Sequence, residues 1–158
     1  LAPLIAQKKE VTDQLMESWV TDFASWDVCD QCCINLFRHH ATAFDKVTTW
    51  AAREEEFVRR AGFALLATLA VHKKQEPDQT FIDFFPLIEH YAFDNRNFVK
   101  KAVNWALRQI GKRNKALNLA AIGVSNRILE QDTPPTRWIA NDALRELHDK
   151  KILARFKN

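Results

Sequence analysis

A pattern that recurs at an offset of 41 residues limits what this chain can fold into. Phe57-Val58-Arg59-Arg60-Ala61 is matched by Phe98-Val99-Lys100-Lys101-Ala102. A further step of the same size lands on Ile139-Ala140-Asn141-Asp142-Ala143, where the small and apolar positions persist and the bases do not. A period of roughly 40–47 residues belongs to stacked helical repeats of the HEAT and armadillo kind. Such units bury their faces on their neighbours, and the stack curves to leave a concave surface. The expected fold is therefore all-α, a curved α-helical solenoid of HEAT-like two-helix repeats. The 158 residues suffice for one domain with its own core. Three glycines and five prolines are too few for a turn-rich β fold and suit long helices with short connections.

Helical periodicity places segments along the chain accordingly. Residues 4–20 read as one or two helices, interrupted at Thr21 and Asp22. Ser25 is a candidate N-cap for a helix running to about His39. Further helices are expected at 42–53, at 55–73, and at 79–92 with a kink or restart near Pro86. Asp94 or Asn95 caps the next, which ends near Gly111; another covers 115–131. Thr133, Pro134 and Pro135 then break the chain, and 136–156 close it. In the helix that starts near Asn95, Phe98, Val99, Ala102, Val103, Ala106 and Ile110 form the apolar face. Lys101, Trp105, Arg108 and Lys112 form the stripe beside it.

Net charge is +3, too small to name a partner, but its distribution is uneven. Residues 1–50 hold four Lys/Arg and seven Asp/Glu. Between Asp94 and Glu130 there is no acid and there are eight bases: Arg96, Lys100, Lys101, Arg108, Lys112, Arg113, Lys115 and Arg127. Such a block favours a polyanion, because cations that neutralise phosphates release condensed counterions. No apolar run is long enough to span a membrane. Three closely spaced cysteines and no secretion signal point to a reducing cytosol.

Three residues and a cluster of cysteines depart from the plain amphipathic pattern. Asp30 shares a helix face with Trp26, Cys33, Ile34 and Phe37, so a carboxylate stands on the apolar side. An unpaired buried charge is costly, so Asp30 is either paired, with Arg60 a candidate, or kept for chemistry. Arg60 lies over Ala64, Ala67 and Val71, and reaches either a nearby acid or a phosphate. Trp105 sits at the border of core and basic stripe, packed on the next helix or exposed in a cleft. Cys29, Cys32 and Cys33, with His39 and His40, lack a second CxxC and do not make a tetrahedral zinc set; core thiols account for them.

Ser25-Trp26-Asp27-Val28-Cys29-Asp30, Phe57–Ala61 and Phe98-Val99-Lys100-Lys101-Ala102-Val103-Asn104-Trp105-Ala106-Leu107-Arg108 resemble, in order and spacing, the AlkD-type DNA glycosylases of the DNA alkylation repair family. The similarity runs over about 10–155. It implies a HEAT-like solenoid and hydrolysis of the N-glycosidic bond of alkylated purines such as N3-methyladenine and N7-methylguanine in duplex DNA. It implies Asp30, Trp26 and Trp105 as catalytic residues. Arg60 corresponds to an arginine that touches the DNA backbone, and Lys100, Lys101, Arg108 and Lys112 join it as phosphate contacts. The family works from the backbone side of the duplex, so a deep base pocket is not required. No cofactor or metal is expected, the partner is alkylated duplex DNA, and a cytoplasmic monomer is expected. Family members carry further helices before this region, which this chain is expected to lack. The competing expectation is a non-catalytic HEAT-like module that binds DNA or a protein.

Overall fold

A computed structural model describes residues 10–156, and the described residues contain helices and turns with no strand. Helix α1 spans Asp13–Thr21, α2 Trp26–Asn35, α3 Ala43–Ala51 and α4 Glu56–His72. Helices α5 (Asp78–Ile82) and α6 (Phe85–Tyr91) follow as short pieces, then α7 (Asn97–Gly111), α8 (Lys115–Glu130), α9 (Pro134–Leu147) and α10 (Lys150–Ala154). A 3₁₀ turn at Phe37–His39 follows α2.

The helices stack in two layers. One layer runs α2, α4, α7, α9, each packed on the next, with the α4–α7 pair in most extensive contact. The other runs α3, α6, α8, each touching its successor and each packed across onto the first layer. Residues 41 apart meet across the helix interface where the repeat predicts: the Phe57 and Phe98 rings lie 5.5 Å apart between centroids, tilted by 35°. Helix α4 is enclosed on nearly every side, and residues from Val58 to Ala70 are buried along its length. Its small residues allow that. A Cβ on Gly62 would stand 2.7 Å from the backbone nitrogen of Ala51, so α3 and α4 cross at backbone contact. Helix α1 is tied to α3 by Glu17, whose Oε1 accepts from Lys46 Nζ at 2.7 Å and from Trp50 Nε1 at 2.8 Å.

Several boundaries differ from the expected ones for local reasons. Pro134 and Pro135 start α9 instead of breaking the chain: a first turn needs no N–H from them, and Thr133 and Thr136 close a capping box around it. The segment at 79–92 does restart near Pro86, as expected: it divides at Asp83–Phe84, and Pro86 lies in the first turn of the second piece. The last segment likewise divides, at His148–Asp149. Helix α2 ends at Asn35, before His39; Ser25 is its N-cap residue as expected, without a side-chain cap bond to the helix. Asp94 is not the cap residue of α7; Arg96 is, and Asp94 Oδ1 accepts from its backbone N–H at 3.1 Å. The part of the first expected helix at 4–9 lies outside the described residues.

Candidate nucleic-acid site around Asp30

Trp26 opens α2 and Asp30 follows one turn later, so both project along one side of the helix. Asp30 is 9% exposed, while Trp26, free of the core, is 50% exposed. The cost of burying the carboxylate is met by Arg60 of α4, itself 6% exposed. Arg60 Nε donates to Asp30 Oδ1 at 3.0 Å and Nη2 donates to Oδ2 at 2.7 Å, a two-pronged pairing that fixes the carboxylate plane. Nη1 donates to the Phe98 carbonyl of α7 at 2.7 Å. The guanidinium carbon lies 5.9 Å from the Trp26 ring centroid. One arginine thus joins three consecutive helices of the first layer. Each carboxylate oxygen keeps lone-pair capacity beyond its single bond to Arg60.

The cysteines set the register beneath this cluster. Cys29 Sγ approaches the Phe57 carbonyl at 3.7 Å and Cys33 Sγ the Ala61 carbonyl at 3.6 Å, on either side of Arg60 in sequence. All three thiols are free and buried, and burial pushes Cys32 up to about 12. They act as small core residues. Among the described residues no group of His, Cys, Asp and Glu is arranged to hold a metal.

Helix α7 extends the site. Phe98, Lys101 and Trp105 fall within about 60° of one another around its axis. Lys101 is exposed and has no acid partner among the described residues. Trp105 is half-buried and packs against the core, with no hydrogen bond or ring contact to Trp26, Asp30 or Arg60. Arg108 and Lys112, expected on the same stripe, converge instead on Glu146 of α9, at 2.5 and 2.7 Å. Arg108 also receives support from Asn104 Oδ1 at 2.7 Å. Burial opposes ionisation of Glu146, but the bonds from Lys112 and Arg108 prevail and hold its carboxyl below the usual range.

The basic block is therefore largely consumed within the fold. Arg96 pairs with Asp94, and Arg127 with Glu89. Arg113 donates to the carbonyls of Ala70, Lys73 and Glu76 at the end of α4. Lys100, Lys101 and Lys115 have no acid partner among the described residues. Lys100 Nζ lies 5.0 Å from the Trp138 ring centroid.

The sequence model of one family, described as DNA alkylation repair enzyme, matches residues 1–147. The chain belongs to the DNA alkylation repair enzyme family. No curated protein and no solved structure matches it. Membership places the chain in alkylation repair, with DNA as the molecule it serves. In this family member two surface clefts lie apart from Asp30: one of about 550 Å³ at the C-terminal ends of α4 and α7, and one between α3 and α6 floored by Phe44, Phe84 and Leu87. Among the described residues no helix is long and apolar enough to cross a membrane.

Sequence reasoning missed three partners of the site: the Phe98 carbonyl, Glu146 and Trp138. A carbonyl leaves no trace in side-chain pattern. Glu146 did leave one, since Asp142 and Glu146 stand at i and i+4 on one face of α9 and occupy the repeat positions of Lys101 and Trp105.

Proposed function

We propose that this chain is a DNA glycosylase that hydrolyses the N-glycosidic bond of cationic alkylated purines, N3-methyladenine and N7-methylguanine, in duplex DNA. The observation that carries the reading is the buried Asp30 carboxylate, held by Arg60 beside the exposed Trp26 ring. A salt bridge needed only for stability has little reason to sit beside a half-exposed indole. A carboxylate that must meet a developing positive charge benefits from being fixed in advance.

The chemistry asks little of the protein. Alkylation gives the purine a positive charge, so the base departs with both electrons of the glycosidic bond and becomes neutral. C1′ of the deoxyribose is left with oxocarbenium character, which a nearby carboxylate stabilises as in glycoside hydrolysis. Water adds through its oxygen to C1′ and gives up a proton, leaving an abasic site. Asp30 supplies the negative charge and orients that water. The Trp26 ring faces the sugar and favours its cationic character, and Trp105 adds a second aromatic wall. Lys101 and Lys100 hold phosphates. Arg108 and Lys112 reach a phosphate only by leaving Glu146. Arg60 directs the carboxylate, and it reaches a phosphate by exchanging the Phe98 carbonyl at Nη1. No cofactor is called for, because the leaving group is activated by its own charge.

The test is release of free methylated base from alkylated duplex DNA by the purified chain, followed with time. The expected result is N7-methylguanine and N3-methyladenine in solution and matching abasic sites in the DNA. Tight binding to the duplex with no base released would establish the non-catalytic module instead.

A further inference from the structure

Trp138 is an anomaly in its repeat. The positions 41 and 82 residues earlier hold Asn97 and Glu56, so stacking of the repeats does not require an aromatic there. It stands in the second turn of α9, 38% exposed and outside the core cluster. Lys100 Nζ sits 5.0 Å from its ring centroid. Lys100 is one of the bases with no acid partner among the described residues, and Lys101 beside it is another. An exposed indole with an unneutralised ammonium against its face offers a flat apolar surface and a cation at one point.

Its place relative to Asp30 is fixed by α7. The Phe98 carbonyl takes Arg60, and Lys100 lies two residues further, about 3 Å along the helix axis. The first turn of α7 therefore carries the Asp30–Arg60 cluster on one side and the Lys100–Trp138 pair on the other. Pro134 and Pro135 have no N–H to offer at the start of α9, so contacts there fall to side chains.

We propose that Trp138 and Lys100 form a second contact with the sugar-phosphate backbone, beside the nucleotide that Asp30 faces. This rests on the glycosylase reading. The indole packs on a deoxyribose or a base edge, and Lys100 takes the adjoining phosphate. The contact serves affinity and registers the strand; it does not touch the reacting atoms.

The experiment measures binding of a duplex with a central tetrahydrofuran abasic analogue, over a salt series, for the wild type, Trp138→Ala, Trp138→Phe and Lys100→Gln. Single-turnover release of N7-methylguanine is followed at saturating protein. Trp138→Ala is expected to weaken binding by about tenfold or more and Trp138→Phe by less than about threefold. Lys100→Gln is expected to lower the slope of log affinity against log salt by about one. Release at saturation stays at the wild-type rate in the two Trp138 variants. Binding by Trp138→Ala within twofold of wild type, or an unchanged salt slope for Lys100→Gln, overturns the contact. If the wild type releases base while either of those holds, this contact alone fails. If the wild type neither binds nor releases base, the glycosylase reading fails with it.

Discussion

Asp30 illustrates how one residue can be out of place for its helix and in place for its fold. On α2 alone it is a charge on an apolar face; across the helix interface it meets a guanidinium with matching geometry. Removing one partner of such a pair strands the other, so Arg60→Ala destabilises strongly, on the order of 3–5 kcal/mol. Trp105 is the residue where packing and chemistry need separating. It is half-buried, so Trp105→Ala costs about 1–3 kcal/mol of stability, less than a fully buried tryptophan. Base release per folded molecule is expected to fall by more than tenfold, judged by melting and single-turnover release at a temperature where the variant stays folded. A release rate that matches wild type once folding is accounted for would leave Trp105 a core residue only.

Among the elements, α4 carries the most consequence. Its burial on all sides follows from Gly62, Ala61, Ala64 and Ala67, which let neighbouring backbones close in. Gly62→Ala would press a methyl against the Ala51 nitrogen and the Val47 carbonyl, at 2.7 and 2.9 Å, neither of which is a flexible group. A loss of about 1–3 kcal/mol is expected in denaturant unfolding, despite the better helix propensity of alanine. A gain in stability would contradict the close crossing of α3 and α4. The order of the helices was legible in the sequence because periodicity and the 41-residue offset report the same units. The start of α9 at Pro134 was not, because a proline reads as a break from either direction, and neither was the division at Asp149, which no proline or glycine marks. The Asp30–Arg60 pairing was open to sequence reasoning as one of two alternatives. The capture of Arg108 and Lys112 was not, since it depends on how α9 lies against α7.

At the scale of the whole molecule, acids contributed by other segments neutralise half of the acid-free basic block. What remains for a polyanion is a small set centred on the first turn of α7. The same pairings make stability depend on pH. Burial opposes ionisation of Asp94, but hydrogen bonds from Arg96 and Arg59 outweigh it and hold the carboxyl below the usual range. Glu146 is held down in the same way by Lys112 and Arg108. A carboxyl with a depressed folded-state value contributes stability that is full above its unfolded value, about 4, and is lost as pH falls through the folded one. Melting temperature is therefore expected to hold between about pH 6 and 8 and to fall below about pH 4, with part of the acid slope removed in Asp94→Asn. An acid slope identical in Asp94→Asn and wild type would show that Asp94 is not among the groups responsible.

The central claim is that Asp30 is kept for chemistry as well as for pairing. Asp30→Asn keeps the size of the side chain and removes its negative charge. Single-turnover release of N7-methylguanine from duplex DNA, measured beside binding to the same duplex, separates the two roles. The account predicts release reduced by at least about a hundredfold, with duplex affinity within a few-fold of wild type. Release at a near-normal rate by Asp30→Asn would contradict it.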